Sequence, residues 1–189
     1  MRVMAGTARG VPIKFPKGAP TRPATELVRG AIFSMLASAE ADMERVLDLF
    51  SGSGSLGIEA LSRGAGSVDF VDRDRRACAI IRENLERARL EACARVHCQD
   101  VSCAIAGLEG CFGTVLMDPP YADREVGTVI TELANSPLID GHSIVVITHS
   151  ALFKLAESYG PLSLRRELRH GDSVIAVYRI VNGDKNSSQ

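Results

Sequence analysis

A chain of 189 residues, 46% of them hydrophobic, is long enough for one compact domain and short for two large ones. It has no apolar run of roughly eighteen residues and no charged-then-apolar opening segment, so the expectation is a soluble, cytosolic protein that leaves membranes alone. Net charge is −1, yet residues 1–30 carry Arg2, Arg9, Lys14, Lys17, Arg22 and Arg29 against Glu26 alone, an asymmetry that points to a polyanionic partner for that segment.

Taken in order, residues 2–5 and 11–15 are short apolar runs around Gly10 and predict a small basic hairpin. A loop over 18–23 precedes a helix starting near Thr25, with Leu27, Val28, Ala31, Ile32, Met35 and Leu36 on one apolar face. Strand and helix then alternate. Strands are expected at 46–50, 67–71, 95–98, 113–117 and 143–148, and helices at 56–63, 74–89, 102–108 and 124–134. In the helix at 74–89, Ala77, Ile80, Ile81, Asn84, Leu85 and Ala88 share a face. Such alternation means a parallel sheet covered by helices on both faces. The runs 162–168 and 173–180, separated by Arg169-His170-Gly171-Asp172, read as a closing antiparallel hairpin, and 182–189 as a disordered tail. The organisation is then a basic hairpin-and-helix extension over 1–44, a doubly wound α/β domain over 45–182 and a tail over 183–189. Five cysteines with no C-x-x-C spacing support neither a disulfide framework nor a zinc site, so no metal is expected.

Two loops carry the chemistry. The strand at 113–117 runs into Asp118-Pro119-Pro120-Tyr121, where proline removes the ladder donor and biases Asp118 toward extended geometry. The result is a stiff loop that suits the gripping of a planar amine. Asp118 and the Pro119 carbonyl each accept one N–H, while Tyr121 stacks on the ring. Between the first strand and its helix lies Asp48-Leu49-Phe50-Ser51-Gly52-Ser53-Gly54-Ser55-Leu56-Gly57, a turn in which glycines let a ligand approach the backbone. Asp72 ends the second strand at the distance expected of a ribose-binding carboxylate, and Asp100 closes the third, placed to accept an adenine amino group. Asp72, Asp100 and Asp118 each also have a plainer reading as a helix N-cap, the role expected of Asp74.

Dinucleotide-binding folds share the glycine pattern, so Asp48 decides between ligands. Four residues before the first glycine, it would repel a pyrophosphate but welcome an ammonium. S-adenosylmethionine has a ribose, an ammonium and no phosphate. Its carboxylate end is expected against backbone N–H groups of the turn, and Asp48 on its cationic side. The cofactor set is Asp48, Ser51, Gly52, Gly54, Asp72, Arg73, Asp100 and Val101, with Asp118 bordering it. A methyl donor beside an amine clamp reads as a methyltransferase, S-adenosylhomocysteine being the product.

The chain resembles the bacterial small-subunit ribosomal RNA methyltransferase D family on the class I, Rossmann-like methyltransferase fold. The likeness runs through Arg2 to Gly6, Arg9-Gly10, Thr21-Arg22-Pro23, Val28-Arg29, LDLFSGSGSLGIEALSRGA from Leu47, Phe70-Val71-Asp72, Arg82-Glu83-Asn84-Leu85, the DPPY loop, Arg166 and Gly171. The resemblance implies methylation of the exocyclic N2 of a guanine in 16S rRNA. Asp118 and Pro119 would hold that nitrogen, and Tyr121 would stack on the base. Arg2, Arg9, Lys14, Arg22 and Arg29 are expected to grip flanking phosphates, with 16S rRNA or the small subunit as partner and the enzyme a monomer. Members differ at Glu26-Leu27, Gly30, Thr148-His149 and His170. Competing readings are a DNA adenine or cytosine amino-methyltransferase, which would need a second domain to read duplex sequence, and a non-catalytic RNA-binding assembly factor. A nicotinamide dehydrogenase is disfavoured by Asp48.

Overall fold

The computed structural model describes residues 1–15, 25–120 and 126–181. Tyr121, Lys17, Arg22, the expected helix start at 124 and the tail therefore lie outside the described residues. Five parallel strands form the centre: β1 (Arg45–Leu49), β2 (Ser67–Asp72), β3 (Ala94–Cys98), β4 (Thr114–Met117) and β5 (Ile144–Ser150). β6 (Ser158–Tyr159), β7 (Leu162–His170) and β8 (Ser173–Ile180) extend it antiparallel, giving the order β3-β2-β1-β4-β5-β8-β7-β6. This is the mostly parallel, doubly wound sheet with an antiparallel end that the alternation predicts. The two-residue β6 is an addition.

Side chains on successive strand residues point to opposite faces, and the core divides accordingly. Val46, Leu116, Val146, Ile175 and Val177 pack under α1 (Glu26–Ser38), α2 (Ser55–Ser62) and α3 (Arg75–Ala88). Leu47, Val115, Met117, Val145, Ala176 and Tyr178 pack under α4 (Val101–Gly107) and α5 (Val126–Ala134). Strand order reverses between β1 and β4, which opens a crevice at the C-terminal ends of those strands. Among the described residues no helix is long and apolar enough to cross a membrane.

The N-terminal segment pairs through one antiparallel bridge, Arg2 to Pro12, rather than through two full strands. Val3, Ala8 and Ile13 sink into the core face shared with α1 and α2. Its approach to α2 is so close that a Cβ on Gly6 would lie 1.6 Å from the Ser62 carbonyl oxygen, and only glycine fits there. α1 starts where expected, capped by Thr25, and buries Val28, Ile32, Met35 and Leu36 of the expected face, which is turned toward Arg29 and Phe33 and away from Leu27. Leu27 is exposed, Phe33 is buried, and Arg29 is buried completely. In α3, Cys78 is buried where Ile80 was expected.

Arg29 is therefore removed from the phosphate-docking set. Its Nη1 lies 3.5 Å from Glu59, and its Nη2 donates to the Arg2 carbonyl at 2.7 Å. Burial pulls the pKa of its guanidinium down, and Glu59 pulls it back up. Glu59, also fully buried, accepts the backbone N–H groups of Met4 at 2.8 Å and Ala5 at 3.1 Å and pairs with Arg63 at 2.7 Å. One carboxylate thus fastens the N-terminal segment to both α1 and α2. Removing it leaves a buried cation and two backbone donors without their acceptor. Glu59→Leu is expected to cost about 3–5 kcal/mol in denaturant unfolding, with part regained in Glu59→Leu/Arg29→Met. A loss below ~1 kcal/mol would contradict this anchoring role.

Candidate active site

β1 ends where Phe50 takes a left-handed φ of 59°, an unusual conformation for a bulky residue, and the chain turns through Gly52 (φ 55°) and Gly54 (φ 75°) into α2. Ser51 locks this corner. Its Oγ donates toward the Asp48 carbonyl at 2.6 Å and the Val71 carbonyl at 3.1 Å, and accepts from the Val71 N–H at 2.9 Å. The side chain is buried and taken up inside the protein. Ser51 is thus corrected from a cofactor ligand to a tie between β1 and β2. Asn84, expected on an apolar helix face, reaches across to donate to the Ser53 carbonyl at 2.9 Å and the Lys14 carbonyl at 3.0 Å.

Asp72 accepts Gly52 N–H at 2.8 Å on one oxygen and Asp74 N–H at 2.8 Å on the other, and still faces the crevice. Asp74 caps α3 through Arg76 N–H, as predicted. Asp100 caps α4 through Ser102 N–H at 3.0 Å, its plainer reading, and also borders the crevice. β4 delivers Asp118, whose Oδ1 accepts the hydroxyl hydrogen of Thr148 on neighbouring β5. Pro119 is buried and Pro120 is half-exposed.

These elements border a crevice that opens to solvent. Gly52, Asp72, Arg73, Asp100, Val101 and Asp118 of the expected residues line it, and Phe50, Ser102, Pro120 and Val129 join them. Three carboxylates against one guanidinium make a wall of acceptors. The Gly52 amide is taken by Asp72, and the Gly54 amide by the Ser51 carbonyl at 2.7 Å. Neither of these amides is free for a pyrophosphate, nor for the carboxylate expected there. This set of acceptors instead fits a ligand that brings hydroxyls, amino hydrogens and a positive charge.

Asp48 and Gly54 do not line the cavity. Asp48 lies beneath the turn, where its Oδ2 accepts Gly57 N–H at 2.9 Å, and a Cβ on Gly57 would crowd both that oxygen and Phe70. Burial pushes the Asp48 carboxyl up to about 8, against the pull of the Gly57 N–H, and Asp118 and Asp72 push the same way. Of the expected RNA contacts, Arg2 and Arg9 are exposed, while Lys14 pairs with Glu83 at the surface. Phe50 and Thr148 escaped the sequence reading. A left-handed phenylalanine leaves no mark in sequence, and the Thr148 contact depends on β4–β5 register.

A family model described as conserved hypothetical protein 95 matches residues 1–179. A Bacillus subtilis relative named "Putative rRNA methyltransferase YlbH" is 35% identical over 182 residues, covering 95% of this chain and 98% of the relative. The ribosomal RNA small subunit methyltransferase D of Escherichia coli K12 is 29% identical over 180 residues, 95% of this chain and 89% of its own length. A solved structure described as "Putative methyltransferase yhhF from Escherichia coli" superposes with a TM-score of 0.81 at 29% identity, covering 95% of this chain and 97% of that one.

The state of Asp48 sets a pH dependence. With its pKa raised from an unfolded value of 3.8 to about 8, the folded protein holds a proton there that the unfolded chain has released. The stability contributed is complete below pH ~4, declines through the interval and is gone above pH ~8. Asp48→Asn keeps an acceptor for Gly57 and removes the titration. Its melting temperature, measured against wild type from pH 4 to 8, should gain ground steadily as pH rises. A constant difference would contradict the assignment.

Proposed function

Because the chain belongs to the conserved hypothetical protein 95 family and carries the class I methyltransferase fold, we propose that it methylates the exocyclic N2 of a guanine in small-subunit rRNA. S-adenosylmethionine, held against Asp72, Asp100 and Val101, supplies an electrophilic methyl group on a cationic sulfur. The observation that carries the reading is the juxtaposition of Asp72 and Asp118 on one acceptor-lined cavity at the point where strand order reverses.

The chain's own residues do the rest. Asp72 and Asp100 present acceptors to ribose hydroxyls and to an adenine amino group, and Phe50 and Val101 offer apolar surface to the ring. Arg73 lies at the same wall for the carboxylate end of the amino acid. Asp118 and the Pro119 carbonyl accept the two amino hydrogens of the target base, which turns the nitrogen lone pair toward the methyl group. Tyr121 stacks on the base. Thr148 fixes Asp118 in that pose by donating to its Oδ1. Orientation of this kind, together with acceptors for the positive charge that develops on nitrogen, accounts for most of the rate enhancement. The target base must leave its stack, which is cheapest in an RNA loop, and Arg2, Arg9, Lys14 and Arg22 of the 1–44 extension hold the adjoining phosphates.

The test offers methyl-labelled S-adenosylmethionine with small ribosomal subunits, naked 16S rRNA and duplex DNA, followed by nucleoside mapping. Label in N2-methylguanosine from rRNA is expected. Label in adenine or cytosine of DNA would favour a DNA amino-methyltransferase, and no label with intact RNA binding would favour an assembly factor. Asp118→Ala should abolish transfer while leaving cofactor affinity within about twofold. Thr148→Val should lower kcat by about tenfold to a hundredfold with both affinities kept, and Thr148→Ser should restore it. Equal loss of transfer and cofactor binding in Asp118→Ala would make that residue structural.

A further inference from the structure

The turn after β5 carries apolar side chains that the reaction above does not use. β4 and β5 are parallel neighbours, so the turn after β5 stands beside the loop that begins at Asp118. Thr148 touches Asp118, and Phe153 follows only five residues later, a reach of about 18 Å even if fully extended. The turn is folded back and tied. Ala151 N–H donates to the Asp172 carbonyl at 2.8 Å, Leu152 N–H to Ser150 Oγ at 3.2 Å and Phe153 N–H to the Ser150 carbonyl at 3.0 Å.

On this tied turn Leu152 is 99% exposed and Phe153 41% exposed. The chain is poor in aromatics and buries Phe33, Phe70 and Phe112, so an outward phenylalanine beside an outward leucine on one turn is the exception. Lys154 follows immediately and is exposed. Arg169, also exposed, stands on the β7–β8 tip that holds Ala151, its Nε donating to the Gly171 carbonyl at 3.0 Å. Exposed apolar side chains with Lys154 and Arg169 close by in the fold fit a partner with π-faces and phosphates. Single-stranded RNA has both, because bases splayed from a loop lose their stacking partners.

We propose that the turn at 151–154 is a docking platform for the single-stranded rRNA that flanks the methylated nucleotide. Phe153 stacks on an unpaired base, Leu152 covers that base's edge, and Lys154 and Arg169 meet the adjoining phosphates. The inference rests on the rRNA reading above and adds a second contact surface to the N-terminal one.

The test measures binding of the full chain to an unmodified 16S rRNA transcript and to unmodified small subunits across a salt series. Phe153→Ala should weaken binding to both by about fivefold to a hundredfold, with the salt slope unchanged, and Phe153→Trp should keep it. Lys154→Gln should shallow the salt slope by about 0.7, the signature of one lost phosphate contact. Both positions are exposed, so the variants should melt with wild type. Wild-type binding to both probes by Phe153→Ala would overturn the proposal, as would weaker binding to subunits alone, which would put a ribosomal protein on this face. Methylation of rRNA by the wild type is the control: its failure overturns the functional reading, whereas unaltered Phe153→Ala binding beside active wild type overturns only the platform.

Discussion

Three strands lying side by side, β2, β1 and β4, each deliver a carboxylate to the same edge of the sheet, and each carboxylate is held by a separate device. Asp48 is buried and holds its proton, its pKa raised to about 8. Asp72 is clasped by two backbone N–H groups, and Asp118 receives the Thr148 hydroxyl. The outcome is an edge rich in fixed acceptors before any ligand arrives. Such an edge suits a cationic nucleoside and an amino group, and it is a poor host for a pyrophosphate.

The basic segment at the start of the chain belongs to the same frame. Glu59 fastens it to α2, the helix whose first turn is the glycine corner. Asn84 joins the Lys14 backbone to the Ser53 carbonyl of that corner, and Arg29 joins the Arg2 carbonyl to Glu59. Exposed Arg2 and Arg9 are thereby carried on a rigid mount. A phosphate held by them has a fixed relation to the crevice, and fixed relations are what orientation-dependent transfer needs.

Much of this was legible in the sequence because it is periodic or punctuated. Alternating strands and helices gave the sheet, and the prolines after Asp118 and the glycines after Asp48 marked the two loops that meet across the crevice. What stayed hidden depends on pairs distant in sequence. A charged residue in an amphipathic helix reads as solvent-facing, and the burial of Arg29 rests on Glu59, thirty positions on, and on the Arg2 and Ser55 carbonyls. Ser51 looks like a ligand in a ligand-binding turn, until the Val71 backbone is seen to take up its hydroxyl. The contact of Thr148 with Asp118 joins residues thirty positions apart and needs the β4–β5 register to be known.

If this acceptor-lined edge receives a sulfur-bearing nucleoside beside the amine clamp, a crystal structure of the protein with S-adenosylhomocysteine will show ribose hydroxyls within hydrogen-bonding distance of Asp72, the adenine near Asp100 and the sulfur on the side facing Asp118. A nucleoside bound elsewhere, or a carboxylate at 118 rotated away from the crevice, would contradict this reading.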